Sequence, residues 1–164
     1  MLQHLTIVAT GGTIDKIYFD DKSAYQIGAP QIGEILKQLG VAFEFEVIAL
    51  MRKDSLHMDD ADRDLIRRTI AAQPHRHVLV THGTDTMVET ARALAAGVEG
   101  KTIVLTGAMV PYAFGSSDGL FNLGSALSFV QVLAPGIYVA MNGRCFPWDD
   151  VRKNREAGLF EPAR

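Results

Sequence analysis

The amino-acid sequence predicts one α/β domain with a doubly wound parallel sheet, of the Rossmann or flavodoxin-like three-layer type. Three observations support this prediction: apolar runs alternate with helical patterns, most connections are short, and a length of 164 residues suits one domain. Because strand–helix–strand crossovers are right-handed, the order βαβαβαβαβ predicts parallel strands with helices on both faces. We therefore treat residues 1–164 as a single domain.

Five apolar runs predict the strands of this sheet. The first, 5–10, is continuously apolar and rich in β-branched residues, which is typical of a strand covered on both faces. The second, 43–50, alternates between apolar and polar residues over half of its length. In chain order the predicted strands are 5–10, 43–50, 77–81, 102–107 and 136–142.

Helical periodicity fills the segments between these strands. The first helix has Pro30 near its start, an apolar face that includes Ile35 and Leu36, and Gly40 as its stop. The second has acidic residues in its first turn and arginines further on, which suits the helix dipole. In chain order the predicted helices are 30–40, 59–72, 86–97 and 118–134.

Three segments do not fit the alternation. Residues 16–29 and 109–119 are polar loops longer than simple connections, and loops of this length are often lids or binding loops. Residues 143–164 are charged and weakly periodic, and their composition alone favours a solvated tail.

Composition and motifs exclude several classes of function. A net charge of −3 gives no electrostatic footprint for nucleic acid, and no apolar run approaches the length of a membrane span. The N-terminus lacks the pattern of a signal peptide, so we expect a cytoplasmic protein. The single cysteine, Cys145, is interpreted as a buried apolar residue, and no disulfide within the chain is expected.

No cofactor is predicted either. The stretch TGGT is neither a dinucleotide-binding fingerprint nor a Walker motif, and a Gly-x-Ser-x-Gly elbow is absent. His75 and His77 have no neighbouring carboxylate or cysteine at a spacing that suggests a metal site.

Hydroxyl and carboxylate groups follow two of the predicted strands. Thr13 comes after the first strand and two glycines, and Thr84 and Asp85 come after the third. Since parallel strands end on the same side of a sheet, these residues are expected to be neighbours. Thr86 and Glu89 have the spacing of a capping box, which would leave Thr84 and Asp85 unexplained by capping. His82 is interpreted as a packed residue rather than a base.

These stretches resemble a known family. The segments ATGGTI (9–14) and THGTDTMVETA (81–91) resemble the two signature motifs of bacterial-type L-asparaginases. Further segments are similar to the family in the same order, and the resemblance covers nearly the whole chain. They are DSLHM (54–58), GAMVPYAFGSSDGLFNL (107–123) and VAMNGRCFPWDDVRKN (139–154).

The resemblance implies hydrolysis of L-asparagine to L-aspartate and ammonia, with some activity on L-glutamine. It implies that Thr13 is the nucleophile, that Tyr25 is a lid residue bonded to this threonine, and that Thr84, Asp85 and Lys153 form a triad. Residues 143–164 are then expected to fold back over the site, because they carry the lysine.

The resemblance also implies a set of substrate contacts. Ser55 matches a residue that binds the α-carboxylate, and Asp85 matches one that binds the α-amino group. Backbone N–H groups near Gly12 and Thr84 are expected to form the oxyanion hole. Other contacts with the substrate are expected at Asp54, Gly83 and Ala108.

The sequence departs from the family in two ways. Typical members have a second, C-terminal domain whose polar and acidic residues complete the site across a subunit interface, and Leu56 stands where many members have a polar residue. Three explanations stay open: a single-domain enzyme that closes its site as a homodimer or homotetramer, an isolated and weakly active domain, or a non-catalytic amino-acid sensor. A domain related to glutamine amidotransferases is a further alternative.

Overall fold

A computed structural model describes all 164 residues of the chain. The strands are β1 (His4–Gly11), β2 (Lys16–Phe19), β3 (Ala24–Ile27), β4 (Glu44–Lys53), β5 (His77–Thr81), β6 (Thr102–Thr106), β7 (Gly136–Met141), β8 (Arg144–Pro147), β9 (Arg152–Asn154) and β10 (Leu159–Glu161). The α-helices are α1 (Ile32–Gln38), α2 (Asp60–Ala72), α3 (Met87–Ala95) and α4 (Gly119–Val132). None of these helices is long and apolar enough to cross a membrane.

The main sheet confirms the predicted fold class. Its strand order is β4-β1-β5-β6-β7-β8, and the first five strands run parallel to one another. Only β8, at the edge beside β7, is antiparallel. The order reverses at β1, which is the switch point where open α/β sheets bind their ligands.

Helices cover both faces of the sheet, as the doubly wound prediction requires. On one face the buried residues of α2 and α3, such as Ile66 and Leu94, share a core cluster with Val80. On the other face the buried residues of α1 and α4, such as Leu36 and Leu123, pack in a second cluster. The sheet is therefore buried on both sides, which explains its continuous apolar strands.

Two of the three segments that interrupt the alternation contain regular structure. Residues 16–29, predicted to be a loop, contain the antiparallel hairpin β2–β3, in which Tyr18 is paired with Tyr25. The tail contains β8 and a second hairpin, β9–β10. The interpretation of the tail as a solvated segment, made from composition alone, is wrong because Val151 and Phe160 are buried in the core.

Candidate active site

The site is built at the carboxyl end of β1 by close contacts between backbone turns. Gly12 has a φ of 85°, and a Cβ atom there would lie 2.6 Å from Gly83 Cα. At Gly83 a Cβ atom would lie 2.6 Å from Ser55 Oγ. Both positions therefore require glycine. The contacts bring the turns that carry Thr13, Ser55 and Thr84 together, as expected from the parallel topology.

Thr13 lies in a short 3-10 turn that follows these glycines. It is half-buried, and its hydroxyl makes no hydrogen bond within the chain. The next residue fixes the turn, since the Ile14 carbonyl accepts a hydrogen bond of 3.1 Å from Tyr112 N. The Thr13 hydroxyl is therefore held on a fixed turn and stays available to a ligand.

The tail hairpin places Lys153 against the end of β5. Lys153 Nζ donates hydrogen bonds to Thr84 Oγ1 at 2.8 Å and to Asp85 Oδ1 at 2.9 Å. The lysine side chain is 15% exposed and the aspartate side chain 30% exposed, so this is a partly buried ion pair. Arg155 lies 3.8 Å from the same carboxylate oxygen and was not singled out from the sequence.

Ser55 is hydrogen-bonded to the start of α3. It is buried, its hydroxyl accepts a hydrogen bond of 3.3 Å from Thr86 N, and its carbonyl accepts one of 2.8 Å from Thr86 Oγ1. Thr86 is the N-cap residue of α3, but its side chain makes no capping bond. The capping box suggested by Thr86 and Glu89 is therefore wrong, because the Thr86 hydroxyl binds Ser55 instead.

Only part of the expected oxyanion hole is free. The Gly12 N–H donates a hydrogen bond of 3.0 Å to the Lys53 carbonyl, so it is not available to a substrate. The backbone N–H groups of Thr13 and Thr84 have no acceptor within the chain. Both N–H groups are therefore free to donate to a ligand.

Tyr25 lies on the β2–β3 hairpin and is not hydrogen-bonded to Thr13. Its side chain is 57% exposed, and its ring lies 5.3 Å from that of Tyr18 and 5.6 Å from that of Phe114, both in edge contacts. The Tyr25 hydroxyl contact with Thr13 stays a prediction, which requires the hairpin to move.

Asp54 supports the loop that carries Ser55. Its Oδ1 accepts a hydrogen bond of 3.0 Å from Leu56 N, and its Oδ2 lies 3.4 Å from Lys16 Nζ. Although partial burial opposes the shift, the Leu56 N–H and the Lys16 ammonium hold the pKa of Asp54 below its ordinary value. Both oxygens have partners within the chain, so a contact of Asp54 with substrate stays a prediction.

Asp118 plays a similar supporting part in the loop after β6. It accepts hydrogen bonds of 3.0 Å from Met109 N and Val110 N, and one of 2.9 Å from Asn122 Nδ2. Asn122 also donates to the Gly107 carbonyl, next to the buried Ala108. The role of Asp118 was missed in the sequence, although its spacing of four from Asn122 on a predicted helix was a usable signal.

Two buried ionisable residues lie beside the turns. Burial raises the pKa of Asp15 to about 6, although Gln31 N donates a hydrogen bond of 3.1 Å to it. Burial lowers the pKa of His82 to about 4. The His82 ring nitrogens lie 2.7 Å from the Gly83 carbonyl and 2.8 Å from Thr90 Oγ1, so it is a packed histidine, as interpreted from the sequence.

Comparisons with known proteins match the chain to one family. A sequence profile of the family described as "Asparaginase, N-terminal" matches residues 4–159. The chain is 32% identical to the L-asparaginase of Thermococcus kodakarensis over 163 residues, which cover 94% of this chain and 49% of the relative. It is 34% identical to the "Probable L-asparaginase periplasmic" of Haemophilus influenzae, over 93% of this chain and 46% of that protein.

A solved structure shows the same fold. The thermostable L-asparaginase from Thermococcus kodakarensis superposes with a TM-score of 0.83 at 27% sequence identity, covering 98% of this chain and 51% of that chain. The chain thus spans about half the length of the relatives that it matches.

Proposed function

The chain belongs to the asparaginase family, matching its N-terminal domain, and on that premise we propose that it is an L-asparaginase-type amidohydrolase. The reaction is L-asparagine plus water to L-aspartate plus ammonia. One observation carries the proposal: Lys153 Nζ lies within hydrogen-bonding distance of both Thr84 Oγ1 and Asp85 Oδ1. At the switch point Lys153 contacts a hydroxyl and a carboxylate. Such a group can transfer protons to and from a nucleophile, and the Thr13 hydroxyl lies on a neighbouring turn.

In the proposed reaction Thr13 Oγ attacks the side-chain amide carbon of the substrate. The C–N bond breaks, the amide nitrogen takes up a proton and leaves as ammonia, and an acyl-enzyme ester remains on Thr13. Water then adds to the ester carbonyl, releasing L-aspartate and the free hydroxyl. The N–H groups of Thr13 and Thr84 are placed to stabilise the oxyanion in both steps.

The triad supplies the proton transfers. Asp85 holds the Lys153 ammonium, and Thr84 accepts a hydrogen bond from it. In the attack step Lys153, after giving up a proton, would accept one from Thr84 while Thr84 accepts one from the Thr13 hydroxyl, and the Lys153 ammonium so formed would return a proton to the leaving amide nitrogen. The partial burial of Lys153 supports this role, since it limits competition from water.

The substrate's α-substituents are proposed to bind at Ser55 and Asp85. The Ser55 hydroxyl accepts one hydrogen bond from Thr86 N, which leaves its own proton free to donate to an α-carboxylate. Asp85 Oδ2 is not used by Lys153 and is available to an α-ammonium group. Glycine at positions 12 and 83 lets the turns that carry these groups approach closely, since a Cβ atom at Gly12 would clash with Gly83 and one at Gly83 with Ser55.

The β2–β3 hairpin is proposed to act as a lid. Its aromatic residues Tyr18 and Tyr25 are exposed, and Tyr25 makes edge contacts with Tyr18 and with Phe114 of the facing loop. A movement of the hairpin toward Thr13 would bring the Tyr25 hydroxyl to the nucleophile and exclude water.

A homodimer or homotetramer is the proposed assembly. Helix α4 has no charged residue in fourteen, and its Phe121 and Val132 are 62% and 78% exposed. An apolar exposed face of this kind is typical of a surface that another chain covers. Light scattering that finds an active monomer would contradict this assembly.

The proposed location is cytoplasmic. The amidotransferase-related and amino-acid-sensor alternatives stay open as well. A sensor needs binding groups such as Ser55 and Asp85 but no lysine on Thr84, so the Lys153 contact favours the enzyme.

The test is ammonia release from L-asparagine, with L-glutamine and D-asparagine alongside, for the wild type and Thr13→Ala. Release from L-asparagine by the wild type, lost in Thr13→Ala, is the expected result. Asparagine binding without ammonia release by a folded wild type would favour the sensor. Glutamine-dependent release that needs a partner protein would favour the amidotransferase alternative.

A further inference from the structure

We propose that the amino end of the sheet binds one divalent transition-metal ion through His4, Glu46 and His75. The ligand atoms of these three residues all lie within 4.8 Å of one another. The proposal is independent of amide hydrolysis, because the three residues lie at the opposite end of the strands from Thr13 and Lys153.

The fold assembles this histidine–glutamate cluster from three neighbouring strands. His4 is the first residue of β1, Glu46 lies in β4 opposite Thr6, and His75 precedes β5 by two residues. Since β4, β1 and β5 are adjacent in the sheet, their amino ends meet. The spacing of residues along the chain indicates no metal-ligating partner for His75. The strand order brings His4 and Glu46 next to it.

His4 provides the strongest single indication of a missing partner. Its Nε2 is inaccessible to solvent and has no hydrogen-bond partner, although buried polar atoms are normally satisfied. Glu46 Oε1 lies 3.9 Å from this nitrogen, which is too long for a hydrogen bond. An ion with bonds of about 2.1 Å to nitrogen and oxygen fits between two atoms at nearly this separation.

A neighbouring group orients one of the three ligands. Thr6 Oγ1 donates a hydrogen bond of 2.9 Å to Glu46 Oε1, which fixes the carboxylate. The exposed Glu44 carboxylate lies 3.7 Å from His4 Nδ1, beyond hydrogen-bonding distance, and acts on that ring only through its charge. Such outer partners of imidazole and carboxylate ligands are usual in metal sites.

The third ligand, His75, is stacked on His4. The ring centroids are 3.5 Å apart and the ring planes differ by 24°. Because imidazole binds an ion in its ring plane, the half-buried His75 side chain must rotate out of the stack for its donor nitrogen and that of His4 to converge, roughly 3.4 Å apart, on one tetrahedral zinc ion.

The donor set selects the kind of ion. Two imidazoles and one carboxylate suit Zn²⁺, and they also suit neighbouring first-row ions better than Mg²⁺ or Ca²⁺. His4 and His75 also line a surface cleft with Leu2, Val41 and Phe43, from which water can complete the coordination. Bound there, the ion would join β1, β4 and the segment before β5, and so stabilise the fold.

The experiment is a calorimetric titration of the chelator-treated full chain with ZnCl₂. We expect one ion per chain, with binding at least tenfold weaker in His75→Ala and in Glu46→Gln. His57→Ala is the matched control, because His57 is an exposed histidine outside the cluster, and it is expected to bind as the wild type does. Circular dichroism establishes that each variant is folded.

A second readout separates a metal site from a structural histidine pair. Zn²⁺ is expected to raise the unfolding temperature of the wild type by several degrees and to leave that of His75→Ala unchanged. The proposal would be overturned if the wild type bound no zinc, or if His75→Ala and Glu46→Gln bound zinc as tightly as the wild type. It would also be overturned if His57→Ala weakened zinc binding as much as the cluster variants do.

Discussion

Two hairpins flank the candidate active site, and they are held in very different ways. In β9–β10 Phe160 is 1% exposed, and its N–H donates a hydrogen bond of 2.8 Å to Asn142 Oδ1. Phe160 is also paired with Lys153 across the hairpin, so both side chains point to the same face. In β2–β3 the paired Tyr18 and Tyr25 are more than half exposed.

The difference separates the fixed half of the site from the adjustable half. Burial of Phe160 fixes Lys153 on Thr84 and Asp85 before any ligand arrives. The Tyr25 side chain, by contrast, is held only by edge contacts with two aromatic rings. The comparison predicts that variants of the tail hairpin lose chemistry or stability, whereas variants of the exposed tyrosines of the β2–β3 hairpin change only the rate.

The largest effect is expected from Lys153→Met, which keeps the length of the side chain and removes its proton chemistry. Turnover of L-asparagine should fall about 1,000-fold, within the usual range for loss of a general acid–base group. Ammonia release measures the loss, and far-ultraviolet circular dichroism should be unchanged. The matched control is Arg152→Met on the same strand, whose side chain is 64% exposed and paired with Glu161.

Phe160→Ala tests the anchor of the same hairpin. Removing a fully buried phenylalanine should cost about 3–5 kcal/mol in the free energy of unfolding, and turnover should fall because Lys153 loses its support. Urea denaturation measures the cost. Leu159→Ala, at a position 36% exposed, is the control and should cost much less. Equal effects of the two variants would contradict the idea of a buried anchor.

Asp15→Asn tests the base of the β2–β3 hairpin. Burial raises the pKa of Asp15 to about 6 in the folded chain from an unfolded value near 3.8. The folded chain therefore favours the protonated carboxyl of Asp15. The stability that this protonation contributes is fully present below pH 3.8 and is lost as the pH rises through 6. The variant should gain about 1–3 kcal/mol at pH 8 and little at pH 4.

Urea denaturation at the two pH values measures this gain. Asp21→Asn, an exposed position in the same hairpin, should show none at either pH. A gain for Asp15→Asn that is the same at pH 4 and pH 8 would show that ionisation is not its source.

The smallest effect is expected from Tyr25→Phe. Loss of one hydrogen bond to Thr13 in the closed state should lower kcat about tenfold, equivalent to about 1.4 kcal/mol. Stability should stay within about 0.5 kcal/mol, because the hydroxyl is exposed in the open hairpin. Steady-state kinetics measures the change, with Tyr18→Phe as control. An unchanged kcat would remove Tyr25 from the lid role.

The main sheet was predictable because its strands are long apolar runs separated by helical periodicity. The strand 77–81 was predicted with its observed bounds, and the other four parallel strands within three residues at either end. The hairpins β2–β3 and β9–β10 were not predicted, since strands of three or four residues with mixed polarity show no clear period.

At the site the sequence indicated which residues meet but not how each is bonded. Lys153 was assigned to the site only through the family resemblance, since a charged tail has the composition of a solvated segment. The Gly12 N–H donates to the Lys53 carbonyl, and the Thr86 hydroxyl donates to the Ser55 carbonyl. Both hydrogen bonds depend on contacts between turns that are distant in the sequence. Local sequence patterns do not encode such contacts.

The most direct test of the central claim is to trap the acyl-enzyme. L-Asparagine is incubated with the protein and hydroxylamine, which competes with water for the ester on Thr13 and yields β-aspartyl hydroxamate. The account predicts hydroxamate from the wild type at the expense of aspartate, and none from Thr13→Ala. Hydroxamate formed by Thr13→Ala at the rate of the wild type would contradict the claim that Thr13 is the nucleophile.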